Sequence, residues 1–229
     1  MEATVHHLAD VARVAGRTLV AATSDERSRA VIAIAAALIE HADEILDANA
    51  EDMERAKKSG MAEGMQDRLL LTLERIESMA DGARSVAQLP DPLGKVLNER
   101  TLPNGLHLKQ ISVPFGVVGM VYEARPNVTV DAAVILLKSG NTALLRGSSS
   151  AASSNSALIK VMRAALQSTV ISPDVIQNVP SEDRSTVGDL LHARGKVDLV
   201  IPRGSAELIR RVVDDSSVPT IEKIGRAHV

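Results

Sequence analysis

Apolar residues recur at helical spacing through residues 1–92, which we expect to form a helical segment. A first helix is predicted over residues 23–60, and it opens with the capping-box pair Thr23 and Glu26. A second helix is predicted over residues 72–88. The apolar positions that define the first helix are Val31, Ile34, Ala35, Leu38 and Ile39. Nothing on the polar faces of these helices indicates catalysis, so their charges predict a solvated surface.

The pattern becomes extended over residues 93–113, where two runs flank the turn-forming triplet Pro103, Asn104 and Gly105. Side chains alternate in the second run, "LHLKQISV", but apolar residues fall on both of its faces. The pattern predicts a β-hairpin. A ribbon with two apolar faces suits a strand that joins the sheet of a neighbouring subunit, and it suits an ordinary edge hairpin equally well.

Strand and helix patterns alternate over residues 114–222. The run "FGVVGMVYE" is almost wholly apolar, which is typical of a strand buried on both faces of a parallel sheet. Three further strands are predicted at "TALLR", "DVIQNVP" and "VDLVIPRG", and a helical pattern follows each of the four. This alternation predicts an α/β fold, with a Rossmann-like parallel sheet that carries helices on both faces. In such sheets ligands bind beyond the carboxyl ends of the strands, so the residues there are candidates for function.

The first strand end, "EARPNVT", carries Asn127. Pro126 restricts Arg125 to extended conformations and so fixes the chain just before the asparagine. A side-chain amide at this place can donate a hydrogen bond into a site in front of the sheet. It can also cap the following helix, and spacing alone favours the cap.

The second strand end, "LLRGSSSA", brings a cation, a glycine and small hydroxyl residues to a helix start. Arg146, Gly147, Ser148 and Ser149 therefore predict an anion site, because helix N-termini and guanidinium groups both favour phosphate. No carboxylate follows within several residues, so we expect nothing nearby to repel an anion. The alternative is a surface arginine followed by serines that only cap the helix.

The third candidate is the end of the fourth predicted strand, "IPRGSAEL". It predicts a second phosphate cradle from Arg203, Gly204 and Ser205. Neither this turn nor the run "FGVVGM" matches the glycine pattern of classical dinucleotide-binding folds. On spacing alone, the signal for an anion site is weaker at the end of the fourth strand than at the end of the second.

Composition excludes several classes of function. The 229 residues include one Phe, one Tyr and no Trp, which argues against platforms that stack nucleic-acid bases. The net charge of −3 without a basic stripe predicts neither a nucleic acid nor a membrane as partner. There is no cysteine, and the six histidines lack metal-ligand spacing, so we expect no metal site. The sequence shows no membrane-length apolar run and no leader, so a cytoplasmic protein is expected.

The run "VPFGVVGMVYEARPNVTVDAAVILLKSGNTALLRG" resembles the gamma-glutamyl phosphate reductase (glutamate-5-semialdehyde dehydrogenase) family of the aldehyde dehydrogenase superfamily. The runs "DRLLLTLERI", "VDLVIPRG" and "VVDDSSVPTIE" resemble the same family in the expected order, so the resemblance extends to Glu222. It implies an NADPH-dependent enzyme of proline biosynthesis that reduces L-glutamyl 5-phosphate to L-glutamate 5-semialdehyde with release of phosphate. Residues 114–222 would then form the NADPH-binding domain.

The resemblance also implies roles for the strand ends. Asn127 would hold the carbonyl oxygen of the substrate as charge develops on it, which reverses the preference for a cap. Arg146 matches the position that binds the adenosine ribose or its phosphate. Ser149 stands where NAD-preferring relatives often carry an acid, which fits NADP. The turn after the fourth strand matches the loop on the pyrophosphate side, where the family usually has glycines in place of Ser205 and Glu207.

The nucleophile of the resembled family is a cysteine in a later catalytic domain, and this sequence has none. After "TIE" the chain reads "KIGRAHV", which a common sequencing-adapter DNA can encode. Residues 223–229 are therefore interpreted as a non-native tail, and the chain as the amino-terminal part of a reductase without its catalytic domain. On this interpretation we expect the 229-residue chain itself to be inactive.

The implied partners are the small-molecule substrate glutamyl phosphate, glutamate 5-kinase and further copies of the chain. The last follows because the hairpin of residues 93–113 resembles the oligomerisation ribbon of the superfamily. Two alternative functions stay open, which are another acylating aldehyde dehydrogenase of the superfamily and a stand-alone nucleotide-binding or regulatory module.

Overall fold

Helices make up the first part of the chain. The computed structural model describes residues 4–221, and the interpreted tail of residues 223–229 lies outside them. The helices that precede the first described strand are α1 (Val5–Ala21), α2 (Ser24–Glu40), α3 (Ala42–Lys58), α4 (Glu63–Leu69) and α5 (Leu73–Gln88). The predicted capping box is confirmed, because Thr23 and Glu26 each accept the backbone N–H of the other. None of the helices within residues 4–221 is long and apolar enough to cross a bilayer.

The single helix predicted over residues 23–60 is wrong, because the chain bends at His41 and forms α2 and α3 instead. His41 has φ −105° and ψ 25°, outside helical values, so it ends one helix and begins the next. The bend lets α2 pack mainly on α5 while α3 packs on α7 (Ala152–Leu166). Neither glycine nor proline marks the bend, so the sequence pattern carries no signal for it. The predicted elements also omit α1 and α4.

Residues 93–113 form the predicted β-hairpin. Strand β1 (Val96–Thr101) pairs antiparallel with β2 (His107–Ile111), and Gly105 in the turn has a φ of 85°, which favours glycine. All of β1 and most of β2 are exposed. The hairpin is a separate two-stranded sheet and contributes no residue to the two hydrophobic clusters that flank the main sheet.

The main sheet is parallel, as predicted. Its strands are β3 (Val117–Tyr122), β4 (Thr142–Arg146), β5 (Ile176–Asn178) and β6 (Leu199–Arg203). The helices that follow the strands are α6 (Asn127–Lys138), α7, α8 (Ser185–Leu191) and α9 (Ala206–Asp215). The spatial order is β5-β4-β3-β6, so the α/β fold with a Rossmann-like sheet is confirmed.

Helices cover both faces of this sheet. One hydrophobic cluster packs α2, α5, α6 and α7 against Val118 and Leu145. The other packs α8 and α9 against Val117 and Leu144, and α1 contributes to both clusters. The helices of residues 4–92 therefore share their core with the sheet.

The strand order changes direction at β3. Strand β4 lies on one side of β3 and β6 on the other, so the chain leaves these neighbouring strands toward opposite sides. Such a switch point is where open α/β sheets place their ligands. Asn127 follows β3 and Arg203 ends β6, so two of the predicted site residues flank the switch point.

Gly140, just after α6, should tolerate no side chain. It has a φ of 75°, and an added Cβ would lie 2.8 Å from Leu93 Cδ1 and 3.0 Å from Pro114 Cγ. We expect Gly140→Ala to lower the free energy of unfolding by about 1–2 kcal/mol. Gly82→Ala is the matched control, because an added Cβ there meets nothing within 4 Å, and it should stabilise α5 by about 0.5–1 kcal/mol. Denaturant unfolding measures both, and equal changes would contradict the prediction.

Candidate functional site

Asn127 opens α6 at the carboxyl end of β3. The capping position is occupied by Pro126, and no side chain caps the helix, so the interpretation of Asn127 as the cap is wrong. Its amide nitrogen Nδ2 donates instead to Asp131 Oδ2 one turn later, at 3.4 Å. An asparagine amide carries two N–H donors, so one donor remains for a ligand in front of the sheet.

Asn127 lines a cleft of about 610 Å³ between the α4–α5 segment and the loop after β3. The side chains of Leu71 and Met79 form an apolar part of the wall, but charged side chains make up much of the lining. Those charged residues are Asp67, Arg68, Arg75, Arg125 and Asp131. The cleft therefore offers groups of both signs around one amide donor, and we name it the substrate cleft after the ligand that we propose for it below.

The three arginines of the substrate cleft differ in their contacts. Arg75 donates to the Leu70 carbonyl oxygen at 2.7 Å and to the Asp67 carboxylate at 2.8 Å, so it fixes the turn between α4 and α5. Arg68 and Arg125 are exposed, and neither side chain forms a hydrogen bond or ion pair with any residue in the described range 4–221. Their guanidinium groups are therefore available to an anionic ligand.

Asp131 is half-buried on the wall of the substrate cleft. Burial raises the pKa of its carboxyl above the ordinary value, although nearby Arg203 and the hydrogen bond from Asn127 act in the opposite direction. No cation among the described residues forms an ion pair with it. A partly desolvated carboxylate without an ion pair is still destabilised, so a cationic group of a ligand would be attracted to it.

Arg146 ends β4 and is only 9% exposed. Its guanidinium donates to the carbonyl oxygens of Gly147 at 3.0 Å, Ser181 at 3.3 Å and Asp183 at 3.3 Å. Burial lowers the pKa of Arg146, and the neighbouring acids Glu182 and Asp183 partly offset that shift. The side chain thus ties the end of β4 to the loop before α8, and its role toward a cofactor stays a prediction.

The helix start after β4 is occupied by a carboxylate of the chain itself. A 3₁₀ turn (Ser149–Ala151), capped by the hydroxyl of Ser148, leads into α7. In the first turn of α7 the N–H groups of Ser153 and Ser154 donate to the Asp52 carboxylate at 3.2 Å and 2.7 Å. The expectation that no acid lies near this helix start is wrong, because Asp52 is buried on α3 and lies 102 residues before Ser154.

The turn between β6 and α9 also holds an acid. Ser205 caps α9, and its hydroxyl accepts a backbone N–H at 3.3 Å and donates to the Glu123 carboxylate at 2.7 Å. A Cβ added at Gly204 would lie 2.6 Å from the Glu123 side chain, so the glycine leaves room for that acid. Arg203 is exposed and lies close enough to Asp131 to lower the pKa of that carboxyl. The predicted cradle therefore contains Glu123, and its role toward pyrophosphate stays a prediction.

A second cleft, of about 760 Å³, opens beside the exposed Ser149. Its polar lining residues are Glu51, Arg55, Ser149, Ser153, Ser156, Lys160 and Glu182. Arg55 is paired with Asp52, and Lys160 is paired with Glu44 at 2.7 Å. Hydroxyl and cationic donors are the groups that bind phosphate, so this nucleotide cleft, as we call it below, has the donors for a phosphorylated ligand.

Sequence reasoning missed Arg68, Asp131 and Asp52. A signal existed for Asp131, because it is the one acid in the otherwise apolar helix "NVTVDAAVILLK" and lies four residues after Asn127. Arg68 lies in the run "DRLLLTLERI", whose resemblance to the family was seen without a role for the arginine. Asp52 had no local signal, since its contacts with α7 are made across about a hundred residues of chain.

The chain matches a known family over almost its whole length. The family model described as "Aldehyde dehydrogenase family" matches residues 1–225. This chain belongs to the aldehyde dehydrogenase family. The resemblance inferred from the sequence motifs is thereby confirmed at the level of the family.

Three relatives within the family carry the name gamma-glutamyl phosphate reductase. Gamma-glutamyl phosphate reductase from Thermobifida fusca (strain YX) is 50% identical over 230 residues, which cover 100% of this chain and 55% of the relative. The structure of gamma-glutamyl phosphate reductase from Thermotoga maritima is 40% identical with a TM-score of 0.91, covering 94% of this chain and 52% of that one. The Saccharomyces cerevisiae structure of the same name is 32% identical with a TM-score of 0.85, covering 99% and 57%. The chain thus spans about half the length of these relatives.

Family membership implies a nicotinamide cofactor. The donors that could meet such a cofactor at the nucleotide cleft are the hydroxyl of exposed Ser149 and further serine hydroxyls, because the two cations there are already paired with Asp52 and Glu44. The start of α7 itself is not open to phosphate, because its first N–H groups already donate to Asp52. A phosphate group would therefore be bound by side chains of the cleft and by the turn before α7.

The buried carboxylate of Asp52 should be essential for stability. Asp52→Asn removes a charged acceptor from two backbone N–H groups and from the Ser154 hydroxyl. We expect a loss of about 3 kcal/mol in the free energy of unfolding, because buried donors lose a charged partner. Asp47→Asn, on the exposed face of the same helix, is the matched control and should change stability little. If thermal or denaturant unfolding showed the same stability for both variants, the cap would be unimportant.

Proposed function

We propose that the protein that carries this chain reduces L-glutamyl 5-phosphate to L-glutamate 5-semialdehyde and releases phosphate, with NADPH as the cofactor. The supporting observation is the substrate cleft, where the Asn127 amide and the guanidinium groups of Arg68 and Arg125, unpaired within residues 4–221, surround one space. An acyl phosphate needs both a donor for its carbonyl oxygen and cations for its negative charges. The identity of 50% to a reductase of that name supports the same substrate.

The reaction requires a thiolate that attacks the carbonyl carbon of the acyl phosphate. A carbon–sulfur bond forms, the bond from that carbon to the phosphate oxygen breaks, and phosphate leaves. A hydride then reaches the thioester carbon, the carbon–sulfur bond breaks, and the aldehyde and the thiolate are released. This sequence has no cysteine, so the thiolate would have to come from outside these 229 residues.

Asn127 is the residue of this chain that we assign to the reacting centre. Negative charge builds on the carbonyl oxygen during attack by the thiolate and again during hydride transfer. One N–H of the Asn127 amide is held by Asp131, and the other would donate to that oxygen. Because the amide lies at the start of α6, the positive end of the helix dipole adds to this stabilisation.

The cofactor would lie along the carboxyl ends of β4 and β6. When bound, it supplies the hydride that reduces the thioester. Ser149 at the rim of the nucleotide cleft leaves room for the 2′-phosphate that distinguishes NADP from NAD. Arg146, Gly147 and Ser148 would form the turn beside the adenosine ribose. The residues on the pyrophosphate side would be Arg203, Gly204 and Ser205.

The hairpin of residues 93–113 is our candidate for a contact between copies of the chain. Its strands are exposed, and five large apolar side chains on or beside them are at least half exposed, which favours burial by a partner. These side chains are Val96, Leu97, Leu106, Ile111 and Val113. An association with glutamate 5-kinase stays a prediction that no contact of this chain addresses.

Asn127→Ala should impair turnover far more than stability. The test protein is a full-length chimera in which residues 1–221 are followed by the part of the Thermobifida fusca relative beyond the match. We expect kcat to fall about 100- to 1000-fold, as for the loss of one oxyanion donor. Melting temperature should hardly change, because the side chain does not cap α6. Assays with semialdehyde, phosphate and NADP measure the first effect, and normal turnover of the variant would refute the assignment.

Ser149→Glu should disfavour NADP. A carboxylate at this exposed position would repel the 2′-phosphate, so we expect the affinity for NADP to fall about tenfold or more while that for NAD changes less. Titration of both cofactors against the full-length chimera measures the ratio. Ser168→Glu, just beyond the far end of α7, adds the same charge away from the cleft and serves as control. An equal loss of affinity for NADP and NAD would show that position 149 does not contact the 2′-phosphate of NADP.

A further inference from the structure

The charges of the substrate cleft are divided between two walls. Arg68 comes from α4 and Arg125 from the loop after β3, and neither is paired within residues 4–221. Asp131 lies on α6 and has no ion-pair partner in the same range. Arg75 differs from the other two arginines, because Asp67 neutralises it. Within residues 4–221 the cleft thus presents two cations without an ion pair, and one carboxylate whose contacts there are a hydrogen bond from Asn127 and the nearby charge of Arg203.

The spacing of Asn127 and Asp131 determines how far apart two groups of one substrate must be to contact both side chains. Residues four apart on a helix face the same side, with about 5–6 Å between their Cβ atoms. In an extended glutamyl chain, four single bonds of about 1.5 Å separate the reacting carbonyl carbon from the α-nitrogen, which places the two atoms about 5 Å apart. A carbonyl oxygen at Asn127 would therefore bring an α-ammonium group to the neighbourhood of Asp131.

We propose that the substrate cleft recognises the α-amino-acid end of its substrate, with Asp131 binding the α-ammonium and Arg68 and Arg125 binding the anionic groups. This inference rests on the proposed function and adds the residues of this chain that select the amino-acid end of the substrate. An acyl phosphate or aldehyde with a free amino-acid end is preferred over one of the same length without the amino group. The preference arises because a substrate ammonium would form the ion pair that the half-buried carboxylate lacks within residues 4–221.

A competing explanation is that Asp131 only orients the Asn127 amide through their hydrogen bond of 3.4 Å. The two explanations differ in what a substitution changes. An orienting residue affects turnover of every substrate equally, since all of them use the amide. A residue that binds the ammonium affects only substrates that carry one.

The decisive experiment compares two aldehydes in the full-length chimera, in the oxidative direction with phosphate and NADP. One is L-glutamate 5-semialdehyde, and the other is 5-oxopentanoate, which lacks the α-amino group. We expect the unsubstituted chimera to prefer the amino-acid substrate in kcat/KM. Asp131→Asn should reduce that preference about tenfold to a hundredfold, mainly through a higher KM for the semialdehyde, while the aldehyde without the amino group keeps nearly the same kcat/KM. Asp189→Asn, on the exposed face of α8, is the matched control and should keep the preference.

The outcomes separate this inference from the proposed function. If the unsubstituted chimera oxidises neither aldehyde, the proposed function itself fails. If it oxidises L-glutamate 5-semialdehyde and Asp131→Asn keeps the full preference, only the assignment of Asp131 fails. An equal fall in kcat for both aldehydes would show that Asp131 acts through Asn127, which also overturns the inference.

A binding measurement without turnover provides the second test. Calorimetry on the cofactor-free chimera compares the phosphonate analogue of L-glutamyl 5-phosphate with its counterpart that lacks the amino group. Arg68→Gln and Arg125→Gln should each weaken both ligands about tenfold, whereas Asp131→Asn should weaken only the ligand with the amino group. Arg210→Gln, exposed on α9, serves as the control for lost positive charge. Equal affinities of both ligands for every variant would overturn the proposal.

Discussion

A buried polar network on α3 holds the substrate cleft in place. Asn49 donates to the Leu69 carbonyl oxygen at 2.9 Å and to the Ser154 hydroxyl at 3.0 Å, and it accepts the Leu71 N–H at 2.8 Å. Asp52, one turn later, accepts from the start of α7. Both residues are almost fully buried, so each of these bonds forms where water could not replace it. The network therefore fixes the α4–α5 segment, and with it one wall of the cleft, to the helix that follows β4.

Two of the helix starts at the carboxyl end of the sheet, those of α7 and α9, already carry negative charge. Asp52 supplies it at α7, and Glu123, through Ser205, supplies it near α9. A helix N-terminus attracts an anion only while its N–H groups are free, and here the chain provides the anion. Positive charge is found instead on side chains that line the clefts, such as Arg68 and Arg125. Recognition of an anionic ligand would thus depend on flexible guanidinium groups more than on the backbone.

The sequence predicted the fold where local patterns decide it. Continuous apolar runs identified the buried strands, and Thr23 with Glu26 identified the start of α2. The sequence pattern did not predict the bend at His41, because no breaker residue marks it and the two helices pack on distant elements, α5 and α7. The same limit applies to the site. The place of Asn127 after β3 made it a candidate, but the spacing favoured a cap and only the family resemblance implied a role toward substrate, which stays a prediction. The acid at the start of α7 comes from a distant helix that no local spacing could indicate.

A second buried network explains why a glycine follows Arg146 and why Asn127 is well placed. The hydroxyl of Thr129 donates to Asn155 at 2.8 Å and bonds the Tyr122 hydroxyl at 2.7 Å, and burial raises the pKa of that tyrosine. These side chains fill the space beside Gly147, where an added Cβ would collide with the Asn155 amide. The glycine is therefore required by packing, whether or not a phosphate approaches it. Since Thr129 lies two residues after Asn127, the same bonds anchor the first turn of α6 to β3 and α7. An amide anchored in this way can act on a developing charge without first being ordered, which is the condition for efficient electrostatic catalysis.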